Sequence, residues 1–381
     1  MTTSAVTVQI PVTKPVLDQA EEQAVVQVLR SGWLVQGPKV AEFERMVADY
    51  VGARHAVATS SCTTALHLAM LLHGLGPGHE VILPSFTFIA TANAVRYVGA
   101  TPVFADIDPV SCTLDPAAVA SAVTPRTRAI LAVHQIGLAA DMEGIQAVAR
   151  RHGLLVVEDA APSLGASYRG RRVGGLGNVT CFSFHPRKVI STGEGGMITL
   201  QDDALAERAR RLRAHGMSVS DLARHGARRV IIEEYPEVGY NYRMSDLHAA
   251  VGIQQMKKLD GLLERRRERA ERYAAALRDV EELQLPAGRP ESPHTYQSYL
   301  VQLRGARKSR NQIMEELLAV GIASRPAVMA IHLTPAYADC RRRLPVTERA
   351  TREGLLLPLY PTMTDAEQDY VVEHLRRILR G

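Results

Sequence analysis

Short apolar runs alternate with amphipathic stretches along the first two-thirds of the chain. The runs HAVATS, EVILPS, TPVFADI, RAILAV and GLLVVED are rich in Val, Ile and Leu, and the segments ALHLAMLLHGL, FIATANAVRYVG and MEGIQAVARRHG suit intervening helices. Continuous apolar strands separated by helices are typical of a mostly parallel sheet that is covered on both faces. The sequence therefore predicts an α/β domain in this part of the chain.

Polar residues directly follow several of these predicted strands. They are Ser60–Ser61, Pro84–Ser85, His134 and Glu158–Asp159. Because ligands of open α/β sheets bind beyond the carboxyl ends of the strands, we expect the functional site among them.

The pattern changes at about Val251, where a long, highly charged helix is predicted. Its basic run 265–267 is interleaved with glutamates, and Glu268 stands four residues before Arg272, a spacing that supports a solvated helix face. The strand YQSYLVQL and the helices NQIMEELLAVGI and DAEQDYVVEHLRRILR follow. We therefore expect a large domain over residues 1–255 and a small α+β domain over 256–381, with the N-terminal segment a candidate to pack on the small domain.

Composition narrows the function classes further. Hydrophobic residues make up 46% and charged residues 22% of 381 residues, and the net charge of +5 comes from scattered basic residues, so we expect no nucleic-acid partner. The four cysteines form no C-x-x-C pair, which predicts no metal site. Residues 1–15 lack the pattern of a signal peptide, and no apolar run reaches the ~18 residues of a membrane span. We expect no membrane partner and a cytoplasmic location.

The segment NVTCFSFHPRKVISTGEGGMITL carries a candidate nucleophile. Lys188 is followed by Val189 and Ile190, and a lysine beside apolar surface has its ammonium form disfavoured. Such a lysine suits Schiff-base chemistry. From the spacing alone, an ordinary surface lysine is the favoured interpretation.

A second segment, GLLVVEDAAPSLGA, ends a buried-looking strand with Asp159. This carboxylate could cap the following helix or face a ligand. A strand-end Asp about 30 residues before a lysine is also what pyridoxal phosphate (PLP) chemistry needs, since the lysine binds the cofactor and the carboxylate keeps the pyridine nitrogen protonated.

Motifs along nearly the whole chain occur in a recognisable order. They are SGWLVQGPKVAEFE, SSCTTALHLA, LPSFTFIATANAV, PVFADID, VEDAAPSLGA, FSFHPRKVISTGEGGM, GYNYRMSDLHAA and LPLYPTM. In this order the chain resembles the DegT/DnrJ/EryC1/StrS family of PLP-dependent sugar aminotransferases. The resemblance implies the type I aminotransferase fold, with a mostly parallel seven-stranded sheet in the large domain and a small α+β C-terminal domain. It also implies a homodimer with shared active sites.

The resemblance assigns roles to single positions. Lys188 matches the lysine that binds PLP covalently and moves the proton of the substrate carbon, and Asp159 matches the carboxylate paired with the pyridinium. The other matches to cofactor contacts are Ser61, Cys62 and Thr63 in the phosphate-binding loop, Ser183 as a phosphate-binding hydroxyl, Phe88 stacked on the pyridine ring, and Asn241, which reaches the phosphate of the other subunit's cofactor.

Four positions depart from the family pattern. Cys62 stands in place of a Gly in the phosphate loop, Pro162 in place of a Gln or His near the cofactor's 3′-oxygen, and His248 in place of a Gln. In the segment AVMAIH, only His332 matches the family's histidines. We expect sugar contacts from Trp33 and His332.

The resemblance implies transfer of an amino group from L-glutamate to a keto sugar, a nucleotide-linked keto-deoxyhexose, by a ping-pong Schiff-base mechanism. Three alternatives stay open. One is a keto-cyclitol aminotransferase of an aminoglycoside-type pathway, and another is a non-catalytic regulatory relative. The third is a sugar dehydratase on the same scaffold, against which Lys188 argues, since such relatives have histidine there.

Overall fold

The structure is a computed structural model that describes residues 9–219, 224 and 231–381. The first eight residues of the segment expected to lack a signal peptide lie outside this range. The helices are α1 (Gln19–Ser31), α2 (Pro38–Val51), α3 (Cys62–Leu72), α4 (Ala90–Tyr97), α5 (Pro116–Ala122), α6 (Met142–His152), α7 (Asp203–Leu212), α8 (Asp246–Leu277), α9 (Arg310–Ala319), α10 (Pro345–Glu353) and α11 (Asp365–Arg380). The strands are β1 (His55–Thr59), β2 (Glu80–Pro84), β3 (Thr101–Ala105), β4 (Thr127–Val133), β5 (Leu155–Asp159), β6 (Ser167–Tyr168), β7 (Arg171–Arg172), β8 (Val179–Ser183), β9 (Gly196–Leu200), β10 (Leu283–Gln284), β11 (Tyr299–Leu303), β12 (Arg325–Pro326) and β13 (Gly354–Leu357).

Seven strands form the large sheet in the order β1-β9-β8-β5-β4-β2-β3. The pairs from β3 to β8 are parallel, and only β9 runs antiparallel to both of its neighbours. All residues of β2 and β9 are buried, which explains why these strands are largely apolar throughout rather than alternating. The predicted α/β class and the mostly parallel seven-stranded sheet are confirmed.

Apolar cores lie on both faces of this sheet. On one face, Phe43 of α2 and Ile253 of α8 pack with Ile82 of β2. On the other face, Leu66 of α3 packs with the strand neighbours of Ile82, which include Leu83. Successive residues of one strand therefore serve opposite cores, as the two-residue repeat of a strand requires.

A four-stranded sheet, ordered β10-β11-β13-β12, carries a third core with α9, α11 and the end of α8. The N-terminal segment packs here: Ile10 pairs with Ile322, and Leu359 N–H donates to the carbonyl of Val12. Helix α8 runs without interruption through the expected domain boundary at 255/256, so that boundary stays a prediction.

The interpretation of the basic run 265–267 as a solvated face is wrong at its centre. Arg266 is only 1% exposed, because the segments around 296–297 and 359 cover α8 at this point. Its guanidinium donates to the carbonyls of Tyr296, Gln297 and Leu359, and burial lowers its pKa to about 10. Arg272 pairs with Asp369 of α11 at 2.7 Å rather than with Glu268.

Within residues 9–219, 224 and 231–381, no helix has both the length and the apolar character needed to cross a bilayer.

Candidate active site

The predicted polar residues meet at one edge of the large sheet. Asp159 ends β5, Ser183 ends β8, and Thr59 ends β1. Because these three strands run in the same direction, their carboxyl ends share an edge, and Gly196 of β9 pairs there with both Ser183 and Thr59. The residues that end these strands are therefore neighbours in the structure, as a site at this edge requires.

Asp159 is buried, and its hydrogen-bond partners are neutral. Its Oδ2 accepts from the hydroxyl of Thr91 at 2.7 Å, and its Oδ1 accepts from the N–H of Ala161 at 3.0 Å. Burial raises the pKa of this carboxyl, while both hydrogen bonds and the charge of Lys188 oppose the rise. A buried carboxylate with neutral partners is costly unless a cation completes it.

Lys188 lies in the loop after β8, near enough to Asp159 for the two charges to interact. Burial lowers the pKa of its ammonium, the charge of Asp159 acts in the opposite direction, and Arg187 lowers the pKa further. Burial therefore increases the share of neutral amine at neutral pH, and the neutral amine is the nucleophilic form.

The loop 60–63 leads into the N-terminus of α3. Ser61 is the N-cap, and its Oγ accepts from the N–H of Thr64 at 3.2 Å. Cys62 is the first helical residue and is buried, and Thr63 beside it is partly exposed. Cys62 has ordinary helical angles, so a side chain at this position does not strain the loop even though the family pattern has Gly there.

Gly196 leaves room for this loop. A Cβ at Gly196 would lie 2.3 Å from the carbonyl oxygen of Ser61 and 2.6 Å from the nitrogen of Cys62. The first N–H groups of a helix have no intrahelical partner and favour an anion. The loop therefore offers an anion site one strand away from Ser183, whose Oγ accepts from the N–H of His185 at 3.4 Å.

Phe88 and Asn241 flank this edge. Phe88 follows β2, is 64% exposed, and its carbonyl accepts from the N–H of Thr91, the partner of Asp159. Asn241 is exposed, and the carbonyl of the next residue, Tyr242, accepts from the N–H of Ser60 at 2.8 Å. An aromatic face and an amide are thus available at the rim.

The two expected sugar contacts differ in their surroundings. Trp33 is partly exposed, and its Nε1 donates to the carbonyl of Gln36 at 3.2 Å. His332 is fully buried, with Nδ1 2.6 Å from Ser85 Oγ and Nε2 3.5 Å from Glu348 Oε1. Its burial favours a role in holding the end of β2, and its substrate contact stays a prediction.

The other two departures from the family pattern have ordinary local roles. Pro162 is buried after the Asp159 turn. His248 is exposed on α8, and its Nδ1 lies 2.7 Å from the Oγ of Ser245, the N-cap of that helix.

Sequence reasoning missed Thr91 and the network behind Asp159. The N–H of Ala140 donates to Nδ1 of His134, so Nε2–H of His134 donates to Glu158 at 2.7 Å. Asn178 donates to the second oxygen of Glu158 at 2.6 Å. The strand-end position pointed to His134 and Glu158, but no sequence signal marks Thr91. Across the described ranges, no group of three His, Cys, Asp or Glu side chains could hold a metal ion.

A mostly parallel sheet with a lysine and a buried carboxylate at its carboxyl edge is typical of type I aminotransferases. The particular family follows from comparison with known proteins. The profile of the DegT/DnrJ/EryC1/StrS aminotransferase family matches residues 15–376, and the chain belongs to that family. It is a sugar aminotransferase by this membership and by its relatives.

Two relatives match almost end to end. The spore coat polysaccharide biosynthesis protein SpsC of Bacillus subtilis is 40% identical over 379 residues, which cover 98% of this chain and 97% of that protein. The GDP-perosamine synthase of Caulobacter vibrioides is 42% identical over 375 residues, which cover 97% and 98%.

Two solved structures are similar to this chain along almost its whole length. DesV of S. venezuelae, crystallised in complex with a ketimine intermediate, has a TM-score of 0.90 and 34% identity and covers 98% of this chain and 100% of that one. The sugar aminotransferase Spr1654 of Streptococcus pneumoniae, in its PLP form, has a TM-score of 0.90 and 28% identity, with 97% and 98% covered.

Proposed function

We propose that the protein transfers the amino group of L-glutamate to a keto sugar, a nucleotide-linked keto-deoxyhexose, with PLP as cofactor. The observation that carries the proposal is the buried Asp159 with neutral hydrogen-bond partners, placed beside a lysine whose pKa is lowered by burial. The name of the GDP-perosamine synthase supports a nucleotide-linked sugar as the substrate class.

The residues present fit PLP. The carboxylate of Asp159 would pair with the protonated pyridine nitrogen, and the α3 N-terminus at 61–63, with the hydroxyl of Ser183, would hold the phosphate. Phe88 would cover one face of the ring, since its own side chain is exposed at the rim. When bound there, the cofactor supplies an electron sink that stabilises negative charge on the substrate carbon.

Two residues of the protein would then act in the reaction: Lys188 moves a proton, and Asp159 keeps the ring nitrogen protonated. Lys188 Nζ, in its neutral form, would take the proton from the substrate carbon and return it to the cofactor side. Asp159 would keep the ring nitrogen protonated, while the Thr91 hydroxyl and the Ala161 N–H orient its two oxygens. One site serves both half-reactions, so glutamate would leave as 2-oxoglutarate before the keto sugar binds, which gives ping-pong kinetics.

We further infer a homodimer with shared active sites. The exposed Asn241 lies one residue from the carbonyl that accepts from the Ser60 N–H, so its amide is available to reach a second subunit's phosphate site. The cytoplasmic location and the domain division at 255/256 belong to the same proposal.

The test measures the glutamate half-reaction in a single turnover. Protein loaded with PLP should form 2-oxoglutarate and lose the visible absorption of the lysine-bound cofactor. Lys188→Ala should abolish both changes, and Asp159→Asn should slow 2-oxoglutarate formation while the protein stays folded. Lys257→Ala, which changes an exposed lysine of α8, is the matched control. Turnover by Lys188→Ala at a rate near that of the unmodified protein would refute the mechanism.

A further inference from the structure

Two glutamine side chains hold the loop that carries Lys188, one on each side of the lysine. Gln297 Nε2 donates to the carbonyl of Arg187 at 2.7 Å. Gln255 Oε1 of α8 accepts from the N–H of Ser191 at 3.3 Å. The loop is therefore tied to elements outside the large sheet, immediately before Lys188 and three residues after it.

Gln297 is itself fixed from several sides. The buried guanidinium of Arg266 donates to the carbonyl of Gln297 at 3.2 Å and to that of Tyr296 at 3.3 Å. Ser298 Oγ donates to the side-chain oxygen of Gln297 at 3.2 Å, which leaves the amide nitrogen free to donate to Arg187. The amide of Gln297 thus has one defined orientation.

The segment 294–298 is also anchored at its other end. Thr295 donates to the carbonyl of Gly137 through its N–H at 2.9 Å and through its hydroxyl at 3.0 Å. Gly137 follows β4 at the carboxyl edge of the large sheet, and a Cβ there would lie 2.3 Å from the Thr295 hydroxyl. The segment therefore bridges α8, the sheet edge and the lysine loop.

Tyr296 in this segment has a φ of 48°, which is strained for a non-glycine residue. His294 stabilises it: Nδ1 accepts from the N–H of Tyr296 at 2.8 Å, and the two rings stack at 4.2 Å. Backbone strain persists where the surroundings over-determine it, and it concentrates at functional sites. The contacts of 294–298 supply such surroundings.

We propose that Gln297 is a positioning residue for Lys188. Its side-chain amide holds the carbonyl of Arg187 and so fixes the main chain next to Lys188, and Arg266 of α8 holds the main-chain carbonyl of Gln297. The inference rests on the proposed role of Lys188 as the reacting amine, and it names a residue that acts through the main chain of the lysine loop.

The test compares Gln297→Met with Gln302→Met. Both replace a buried or half-buried glutamine by a side chain of similar shape without a donor, but Gln302 bonds the sulfur of Cys112 and not the lysine loop. The first readout uses cofactor-free protein: the rate of trinitrobenzenesulfonate labelling of Lys188, followed by mass spectrometry from pH 6 to pH 10. The second is kcat and KM for glutamate in the loaded enzyme.

A loosened loop admits water, so the pH midpoint of Lys188 labelling should rise in Gln297→Met, and labelling at pH 8 should slow about three- to tenfold. The value of kcat should fall by a similar factor with little change in KM. Gln302→Met should keep the midpoint. If Gln297→Met does not fold, Ser298→Ala removes the hydrogen bond that orients the Gln297 amide. It should shift the midpoint in the same direction by a smaller amount.

An unchanged midpoint in folded Gln297→Met, or an equal shift in Gln302→Met, would overturn the inference, as would an unchanged kcat. The labelling arm also separates the two proposals. A shifted midpoint in a protein that never transfers an amino group from glutamate would support the positioning role and contradict the proposed function.

Discussion

Removal of the Thr91 hydroxyl tests how the site keeps a buried carboxylate. Thr91→Val preserves the shape of the side chain and deletes the 2.7 Å hydrogen bond to Asp159 Oδ2. A hydrogen bond to a charged group contributes about 1.5–3 kcal/mol, and one between neutral groups about 1 kcal/mol. The variant should therefore cost about 1 kcal/mol where Asp159 is protonated and about 1.5–3 kcal/mol where it is ionised.

The direction of the pH dependence follows from the pKa. Burial raises the pKa of Asp159 in the native protein, so between the unfolded and the native pKa the native state holds a proton that the unfolded state releases. Stability is thus lost as pH rises through that window. The Thr91 hydrogen bond opposes the rise in the pKa of Asp159. Thr91→Val should therefore raise that pKa further, so that stability is lost over a wider pH range and by a larger amount.

The assay is urea unfolding of the cofactor-free protein at pH 5 and pH 8. Thr199→Val is the matched control, since it deletes a buried hydroxyl bonded to the carbonyl of Gly174 at 3.0 Å and should cost the same at both pH values. In an Asp159→Asn background, the extra loss at pH 8 should vanish. An equal loss for Thr91→Val at both pH values would refute the reasoning.

Two further substitutions test the loop at α3. Gly196→Ala places a Cβ against the main chain of Ser61 and should cost about 1–3 kcal/mol of stability, measured by thermal unfolding. It should also weaken PLP binding, measured by cofactor titration. The control Gly261→Ala, on an open helix face, should instead stabilise the protein by up to about 1 kcal/mol. Cys62→Gly should cost only about 0.3–0.5 kcal/mol through helix propensity while amino transfer from glutamate continues, and a loss of turnover there would show that the thiol takes part in the reaction.

The large sheet could be predicted well from the sequence because its strands are buried on both faces. A strand such as β2 has no exposed face, so its residues form one largely apolar run bounded by polar turn residues. The residue that ends such a run is marked by its position alone, and this position is what singles out Asp159 and His134 in the sequence.

The contacts of the site were less accessible from the sequence. Thr91 lies 68 residues before Asp159 and on a helix, and its hydroxyl looks like any other in the segment PSFTFIATANAV. The same holds for Arg266, whose neighbours in sequence are exposed charges and whose burial results from contacts with residues 296–297 and 359. The contact of Thr91 and the burial of Arg266 both depend on residues that are far apart in the sequence, so no local pattern predicts them.

Helix α8 spans about 48 Å at 1.5 Å per residue and belongs to two cores. Its first half places Ile253 and Leu259 under the large sheet, and its second half places Tyr273 and Leu277 under the small one. Both cores include residues of this helix, so we expect that fragments divided within it would not be stable on their own. We therefore expect melting of either core to remove the support of the other, and unfolding to be one cooperative transition rather than a succession of domain transitions.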